Sequence, residues 1–312
     1  MTPRRWTGVK LRASDAICRV VFCLFFYLCS QPAVVSGQQI PIHQWPDGLT
    51  LCGEAVPLER QDVGEMMDQA FISSVYNHPQ VILWIKRAHR YFPYLEKRLR
   101  ERNLPDDLKY IAIVESALKT YVTSSSQAVG PWQFISGTAK RYGLRTDRWI
   151  DERYNFERAT EAALDYLTDL YGEFRNWPLA IAAYNCGENR MARSLQAQEV
   201  KSFYDLDLPL ETEAYIFRIL AAKTILLQPE VYGYAIPTAQ RYPPLKYDEI
   251  NVISQGETPL LAIARAAGTT YKTIKEMNPE IRQNVLPAGN YKVRIPMGKA
   301  MDFAERLKKE LP

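Results

Sequence analysis

The spacing of apolar residues predicts that most of this 312-residue chain is helical. From about residue 61 to residue 230, apolar residues recur three and four positions apart, as they do on the buried face of an amphipathic helix. This stretch of the sequence has no strand-like alternation of useful length, so it is predicted to be all-α. One run within it, YIAIVESALKTYV at 110–122, is almost wholly apolar and carries a single carboxylate, Glu115.

The pattern changes after Tyr234. Residues 234–249 contain several prolines and predict a semi-rigid linker, and residues 250–296 predict a strand, two helices and a second strand. Thr258 is expected to cap the first of these helices, and Pro259 to be its first residue. Residues 297–312 predict a short, charged helical tail. The predicted fold class is therefore mainly α, with a small βααβ unit near the C-terminus.

The N-terminus has the pattern of a targeting segment. Residues 1–37 contain a basic stretch, an apolar core at 20–29 and small residues at 35–37, as a secretory signal peptide does. This apolar core is too short for an ordinary transmembrane helix, which needs about 20 residues. A cleaved signal is predicted, with a retained membrane anchor as the alternative, and either one places the rest of the chain in the periplasm or cell envelope. Residues 38–94 are predicted to form an extended lead-in and the first helices.

Charge, cysteines and histidines limit the classes of function. Residues 1–37 carry the whole formal net charge of +4, so the remaining chain is near neutral and shows no nucleic-acid-binding footprint. Cys52 and Cys186 remain after this segment, and both two free thiols and a disulfide are compatible with the sequence. No metal site or other cofactor is predicted, because no histidine has Cys or carboxylate partners at ligand spacing; the histidines are His43, His78 and His89.

Glu115 is the best candidate for acid–base chemistry. At helical spacing it shares a face with Ile111 and Leu118, and burying an unpaired carboxylate in such a face is costly. Burial raises the pKa of a carboxylic acid, so the group would stay protonated and able to donate a proton. The alternative is a solvated glutamate or an i, i+4 ion pair with Lys119, and this helix alone does not decide between the two.

The loop that follows, SSSQAVGPWQF at 124–134, combines small residues, aromatic residues and a glutamine. Gly130 would let the backbone approach a ligand closely, and Trp132 and Phe134 would offer ring faces to sugars unless the rings belong to the core. In a later helix Glu161 and Asp165 lie four positions apart on the polar side, where they are expected to be solvated.

Residues 95–233 resemble the catalytic domain of family 1 soluble-type lytic murein transglycosylases, in particular the membrane-bound lytic murein transglycosylase D group. The Glu-Ser pair of VESAL matches the family's catalytic glutamate and the serine after it, at Glu115 and Ser116. Pro131 stands where the family usually has leucine, and Cys186 where it usually has Ser, Ala or Gly. The loop and the motifs AAYNCG and ETEAY imply substrate-binding or supporting roles for Ser124, Gly130, Trp132, Gln133, Phe134, Tyr184, Asn185 and Tyr215.

The resemblance implies a lysozyme-like, all-α catalytic domain that cleaves peptidoglycan between N-acetylmuramic acid and N-acetylglucosamine. Most glycosidases use two carboxylates, but no second acid is linked to a motif here. In the family, the single glutamate protonates the glycosidic oxygen and then takes the proton of the sugar's C6 hydroxyl, which closes a 1,6-anhydro ring without water. A hydrolase on the same fold and a non-catalytic peptidoglycan-binding protein are the alternatives.

The C-terminal unit, residues 250–296, resembles a LysM module, which is a peptidoglycan- or chitin-binding domain. The resemblance lies in GET at 256–258, LLAIA, Asn278, LPAG at 286–289 and the closing RIP. Asn251 stands where an aromatic residue is common, and Pro259 replaces the usual leucine. The implied partner is a peptidoglycan glycan strand, and no motif predicts the oligomeric state.

Overall fold

The computed structural model describes residues 42–311, so the predicted signal segment lies outside the described residues. A short hairpin of β1 (Thr50–Leu51) and β2 (Glu54–Ala55) precedes the first helix. The helical domain, residues 50–233, contains eight α-helices of the described chain: α1 (Gln61–Val75), α2 (His78–Glu101), α3 (Lys109–Ser116), α4 (Ser136–Arg141), α5 (Phe156–Phe174), α6 (Trp177–Cys186), α7 (Glu188–Gln198) and α8 (Leu210–Leu227).

The core of the helical domain is built around α3 and α8. Helix α8 packs against α1, α3 and α6, and α5 packs against α6. Ile111, Ala112 and Ile113 of α3 have almost no exposed surface, because this short helix is enclosed by its neighbours. Side-chain caps mark where two of the later helices begin: the Asn155 and Asn176 side chains each accept a hydrogen bond from the N–H of the third residue of α5 and of α6, respectively. The mainly helical fold class is confirmed.

Helix α3 ends earlier than the apolar run 110–122 predicts. Ala117 and Leu118 have φ of 52° and 58°, in the left-handed region, and the Leu118 N–H donates to the Ala112 carbonyl at 3.1 Å. This closure is typical of a Schellman motif, which ends a helix and turns the next side chain into the core. Leu118 therefore does not share a helical face with Glu115, and that expectation is wrong.

The loop after α3, residues 117–135, is fixed by a close backbone contact at Gly130. Gly130 has φ of +79°, and a Cβ there would lie 1.8 Å from the Arg153 carbonyl oxygen. Arg153 lies in a short 3-10 helix (Glu152–Tyr154), and its guanidinium donates to the Phe134 carbonyl at 3.0 Å. The glycine is needed for this contact within the protein, so the expectation that it admits a ligand is not supported.

The C-terminal domain, residues 247–311, has the predicted strand, helix, helix, strand order. Strand β3 pairs antiparallel with β6, with Tyr247 opposite Pro296, and β4 pairs antiparallel with β5. Its elements are β3 (Tyr247–Ser254), β4 (Thr258–Pro259), α9 (Leu260–Ala266), α10 (Tyr271–Met277), β5 (Val285–Leu286), β6 (Gly289–Pro296) and α11 (Phe303–Glu310).

Two details of this domain differ from the sequence expectations. Thr258 does not cap a helix: it lies in β4 opposite Leu286, and its hydroxyl donates to Ser254 Oγ at 2.8 Å. The predicted charged tail is α11, which packs against α9 and buries Phe303 and Leu307 in the core of the C-terminal domain. The tail is therefore an integral part of this domain.

The two domains join along a seam that includes backbone hydrogen bonds. The Asp151 N–H donates to the Glu280 carbonyl at 2.9 Å, and the Arg282 N–H donates to the Trp149 carbonyl at 2.8 Å. Between them, Ile150 of the helical domain is buried within the core of the C-terminal domain. The described residues from His43 onward accordingly form one compact unit. Within the described chain, no helix is both long enough and apolar enough to cross a bilayer.

We predict that Gly130→Ala destabilises the protein by about 3 kcal/mol or more, because a side chain in a left-handed conformation would also overlap the Arg153 carbonyl. Gly137→Ala is the matched control: Gly137 lies on exposed α4, and a Cβ there meets nothing within 4 Å. This control should stabilise the protein by up to about 1 kcal/mol. Urea unfolding measures both, and equal stabilities of the two variants would contradict the prediction.

Candidate active site

Glu115 lies at the C-terminal end of α3 and is held by a tyrosine of α8. The Tyr215 hydroxyl donates a hydrogen bond to Glu115 Oε1, and the Tyr215 side chain is 2% exposed. The structure therefore brings together two residues that are 100 positions apart in the chain. Among the described residues Glu115 makes no ion pair with Lys119, so the solvated or ion-paired alternative does not describe its environment.

The surroundings of Glu115 favour its protonated form. Burial raises the pKa of its carboxyl from 4.5 to about 7. The hydrogen bond from Tyr215 and the positive charge of Arg218 lower this pKa, and the negative charge of Glu211 raises it. Burial has the largest effect because the low polarity around the carboxyl penalises the anion. A group with this pKa is partly protonated near neutrality and can both donate and accept a proton.

An open cavity of about 420 Å³ lies against Glu115. It is lined from α1 and α2 by Ser74, Gln80 and Trp84, and from α8 by Arg218. Sequence reasoning missed these residues. Arg218 could have been found, because it lies three positions after Tyr215 and thus on the same side of α8. The residues from α1 and α2 carry no comparable signal in the sequence.

Several predicted site residues hold the loop 117–135 rather than Glu115 itself. Ser116 Oγ donates to the Pro131 carbonyl at 2.9 Å, which ties the end of α3 to the loop. The Tyr184 hydroxyl donates to the Trp132 carbonyl at 2.8 Å, and the Trp132 indole donates to Thr160 Oγ1 at 3.0 Å. The Tyr184 hydroxyl thus anchors the loop that follows α3.

The two aromatic residues of the loop belong to the core. Trp132 is fully buried and Phe134 is 3% exposed. Of the two alternatives that the sequence left open, the core position applies, because both rings pack in the core of the helical domain. The sequence alone does not show whether an aromatic residue beside a glycine lies on a binding surface or in the core.

The remaining predicted site residues make local hydrogen bonds. Ser124 Oγ accepts from the Ala128 N–H at 3.0 Å, and the Gln133 amide donates to the Gly130 carbonyl at 2.8 Å. Asn185 Oδ1 accepts from Thr212 Oγ1 at 2.9 Å, so Asn185 is linked to the first turn of α8.

Glu161 and Asp165 are not simply solvated, as the sequence suggested. Burial alone would raise the pKa of Glu161, but hydrogen bonds from Arg98, Arg102 and Tyr94 outweigh it and lower the pKa to about 2. Asp165 joins the same cluster through Arg102, at 2.5 Å. Glu161 and Asp165 therefore form ion pairs with arginines at the end of α2, and these ion pairs connect α2 to α5.

The two cysteines of the described chain are both free. Cys52 follows β1, and its backbone N–H donates to Asp107 Oδ2 at 2.7 Å. Cys186 is the last residue of α6 and is partly exposed. In residues 42–311, no three His, Cys, Asp or Glu side chains come together in a way that could hold a metal ion.

Comparison with known proteins identifies the two domains. Residues 93–206 match the family model described as "Transglycosylase SLT domain". The chain contains a transglycosylase SLT domain. Glu115, Tyr184 and the loop 117–135 all lie within the matched residues, whereas Tyr215 lies just beyond them. Residues 247–310 match "Lytic transglycosylase MltD, LysM-like domain", and this match includes α11.

Two relatives of this protein were also found. The chain is 32% identical over 227 residues to "Membrane-bound lytic murein transglycosylase D" of Escherichia coli (strain K12), covering 71% of this chain and 49% of that protein. It is 34% identical over 117 residues to "Putative tributyltin chloride resistance protein" of Alteromonas sp. (strain M-1), covering 36% of this chain and 56% of that protein. The chain thus spans about half the length of the curated relatives it matches.

We predict that Glu115→Gln stabilises the folded SLT domain at neutral pH. The pKa of Glu115 is higher in the folded state than its ordinary value of 4.5, so the folded state binds this proton more tightly and stability falls as the pH rises from 4.5 to about 7. Glutamine has no charge to bury but keeps an oxygen for the Tyr215 hydroxyl.

The melting temperature of Glu115→Gln should exceed that of the wild type by about 2–4 °C at about pH 8 and equal it at about pH 4. Glu199→Gln is a suitable control because Glu199 lies after α7, outside the Glu115 cavity. A difference that is the same at both pH values would contradict the burial of the Glu115 carboxyl.

Proposed function

We propose that this protein is a peptidoglycan lytic transglycosylase that cleaves the β-1,4 bond between N-acetylmuramic acid and N-acetylglucosamine and leaves 1,6-anhydro ends. The observation that carries the proposal is the Glu115 carboxyl, partly buried and hydrogen-bonded to Tyr215 at the wall of an open cavity within an SLT domain. The names of the relatives, among them a lytic murein transglycosylase, support the same substrate.

Glu115 is the proposed acid of the first step. Its proton passes to the glycosidic oxygen as the bond to the anomeric carbon of N-acetylmuramic acid breaks. A pKa of about 7 keeps this proton available near neutral pH yet allows it to leave. The Tyr215 hydroxyl supports the step, because it donates to the carboxylate that forms and so stabilises the anion.

Glu115 is also the proposed base of the second step. The carboxylate takes the proton of the C6 hydroxyl, whose oxygen bonds to the anomeric carbon and closes the anhydro ring. This attack is intramolecular and needs no water activated by a second carboxylate. The lining of the cavity supports this chemistry, because Glu115 is the only carboxylate among the residues that line it.

The loop 117–135 is the proposed wall that orients the sugar. Ser124, Gln133 and Asn185 carry polar atoms that could meet acetamido groups or the cleft wall, and these roles come from the family resemblance. Ser116, Trp132 and Tyr184 are proposed to support the loop through their hydrogen bonds with its backbone and with α5. Gly130 and Phe134 are likewise proposed as supporting residues.

The domain organisation that we propose places catalysis in residues 95–233 and glycan binding in the LysM-like C-terminal domain. Residues 38–94 also contribute, because Ser74, Gln80 and Trp84 line the Glu115 cavity. We further propose that the protein acts in the periplasm or cell envelope, with the segment 1–37 serving as its secretion signal or membrane anchor. The wall polymer is a suitable substrate only in that compartment.

A hydrolase on the same fold is the competing function. It would need a second carboxylate to activate water, and the exposed Glu211 is a candidate because its charge acts on Glu115. In the transglycosylase mechanism Glu211→Gln changes the pKa of Glu115 only slightly and preserves product formation. In a hydrolase that uses Glu211 as its base, the same substitution abolishes cleavage.

The products of a murein digest test the proposal. We expect purified murein to yield fragments whose ends are one water lighter than reducing ends, as measured by mass spectrometry. Glu115→Gln should lower the rate by a factor of about 10³, because it removes the group that moves both protons. Reducing ends alone, or an active Glu115→Gln variant that is folded, would refute the proposal.

The pH dependence of cleavage tests the role of Tyr215. The wild-type kcat/KM should decline above about pH 7, as Glu115 loses its proton. Tyr215→Phe removes a hydrogen bond that lowers the pKa of Glu115, so this decline should move to higher pH.

Tyr184→Phe is the matched control for this measurement. Its hydroxyl binds the Trp132 carbonyl and not Glu115, so the variant should lower kcat/KM without moving the decline. Equal shifts in both variants would exclude the proposed role of the Tyr215 hydrogen bond.

A further inference from the structure

A second cavity continues from the Glu115 cavity along α2. It has a volume of about 290 Å³ and shares Lys119 with the Glu115 cavity. Arg87 and Arg90 of α2 line one side, and residues 118–121 of the loop line the other. We call the two cavities together the cationic groove. At its far end the Tyr121 hydroxyl donates to the Lys275 carbonyl of the C-terminal domain.

Positive charge predominates in the lining of the cationic groove. Arg87, Arg90, Lys119 and Arg218 line it, and Glu115 is the only carboxylate that does so. None of these four cations forms an ion pair with a carboxylate of the described chain. On the same helix, Arg98 lies outside the groove and is paired with Glu161 at 2.7 Å, whereas the exposed Arg100 makes no ion pair in the described chain. The groove is therefore distinguished by the four cations that meet there with a single carboxylate.

Arg87 and Arg90 are held in place without being neutralised. Arg87 Nη1 donates to the Ala117 carbonyl at 3.2 Å, and Arg90 Nε donates to the Pro243 carbonyl at 3.0 Å. The Arg90 guanidinium also lies over the Tyr242 ring, 5.2 Å from its centre. A guanidinium has five N–H donors, so each keeps donors available for an incoming anion.

A buried donor in the wall of the groove also has no partner. Trp84 is 3% exposed and lines the Glu115 cavity, and its indole N–H has no acceptor in the described chain. A buried donor without an acceptor costs free energy, and such groups call for an explanation.

We propose that the cationic groove binds the carboxylate-bearing peptide substituents of the wall polymer, next to the bond that Glu115 cleaves. This inference rests on the proposed function. The sugars of the glycan strand carry no charge of their own. Binding of the sugars alone would therefore leave the four cations of the groove without an anion. Carboxylates on peptides attached to those lactyl groups are the anions that come nearest to the cleaved bond. Arginine suits them because its planar fork binds a carboxylate through two hydrogen bonds.

The test compares two substrates, peptidoglycan with free peptide carboxylates and the same peptidoglycan after those carboxylates have been converted to primary amides with ammonia and a carbodiimide. For each protein, the ratio of kcat/KM on the carboxylate-bearing substrate to kcat/KM on the amidated substrate is measured. Arg90→Gln should lower this ratio about tenfold, because a hydrogen bond to a charged group is lost. Arg87→Gln/Arg90→Gln should lower it further, and Arg90→Lys should lower it less than Arg90→Gln.

Arg100→Gln is the matched control. Arg100 lies on the same helix, is exposed and lines neither cavity. The ratio of the two kcat/KM values for this variant should therefore equal the ratio for the wild type. Thermal unfolding of each variant establishes that it is folded. An unchanged ratio in a folded Arg87→Gln/Arg90→Gln variant would overturn the inference. Failure of the wild type to cleave either substrate would instead refute the proposed function.

Discussion

The hydrogen bond from the Tyr215 hydroxyl to Glu115 is the contact on which the site depends. Burial alone would keep the Glu115 carboxyl protonated, and the tyrosine partly offsets this by stabilising the anion, which leaves a pKa of about 7. The contact requires that α3 and α8 pack closely, so the apolar core between them sets the protonation of the acid. Packing, rather than a second carboxylate, thereby raises the pKa of Glu115 toward neutrality.

The loop 117–135 is the second constraint, and its position is fixed from several sides. Ser116 attaches it to α3, Tyr184 to α6, and Trp132 to α5. A left-handed glycine, Gly130, lets it lie against the backbone of Arg153. Most residues that the family resemblance singles out therefore lie in this loop or hold it, instead of contacting the Glu115 carboxyl. A wall held by several hydrogen bonds keeps its polar atoms in place before a substrate arrives.

The C-terminal domain is joined to this wall rather than suspended on a flexible linker. Ile150 inserts into its core, and the Tyr121 hydroxyl of the loop donates to the Lys275 carbonyl. The cationic groove runs between Glu115 and this junction. A glycan strand held by the C-terminal domain would thus have a fixed relation to the acid, and its charged substituents would lie beside Arg87 and Arg90.

The sequence by itself determined the helical class and the βααβ order and singled out Glu115 as the candidate acid, because the period of apolar residues and one isolated carboxylate are local signals. It did not determine that α3 ends at Ser116, that Trp132 is a core residue or that Glu161 is an ion-pair partner. Those outcomes depend on which distant side chains fill the space around each residue, and only the tertiary structure decided them. The cationic groove has the same origin: α2 contributes arginines that helical spacing alone would assign to solvent, and chain packing places them beside the acid.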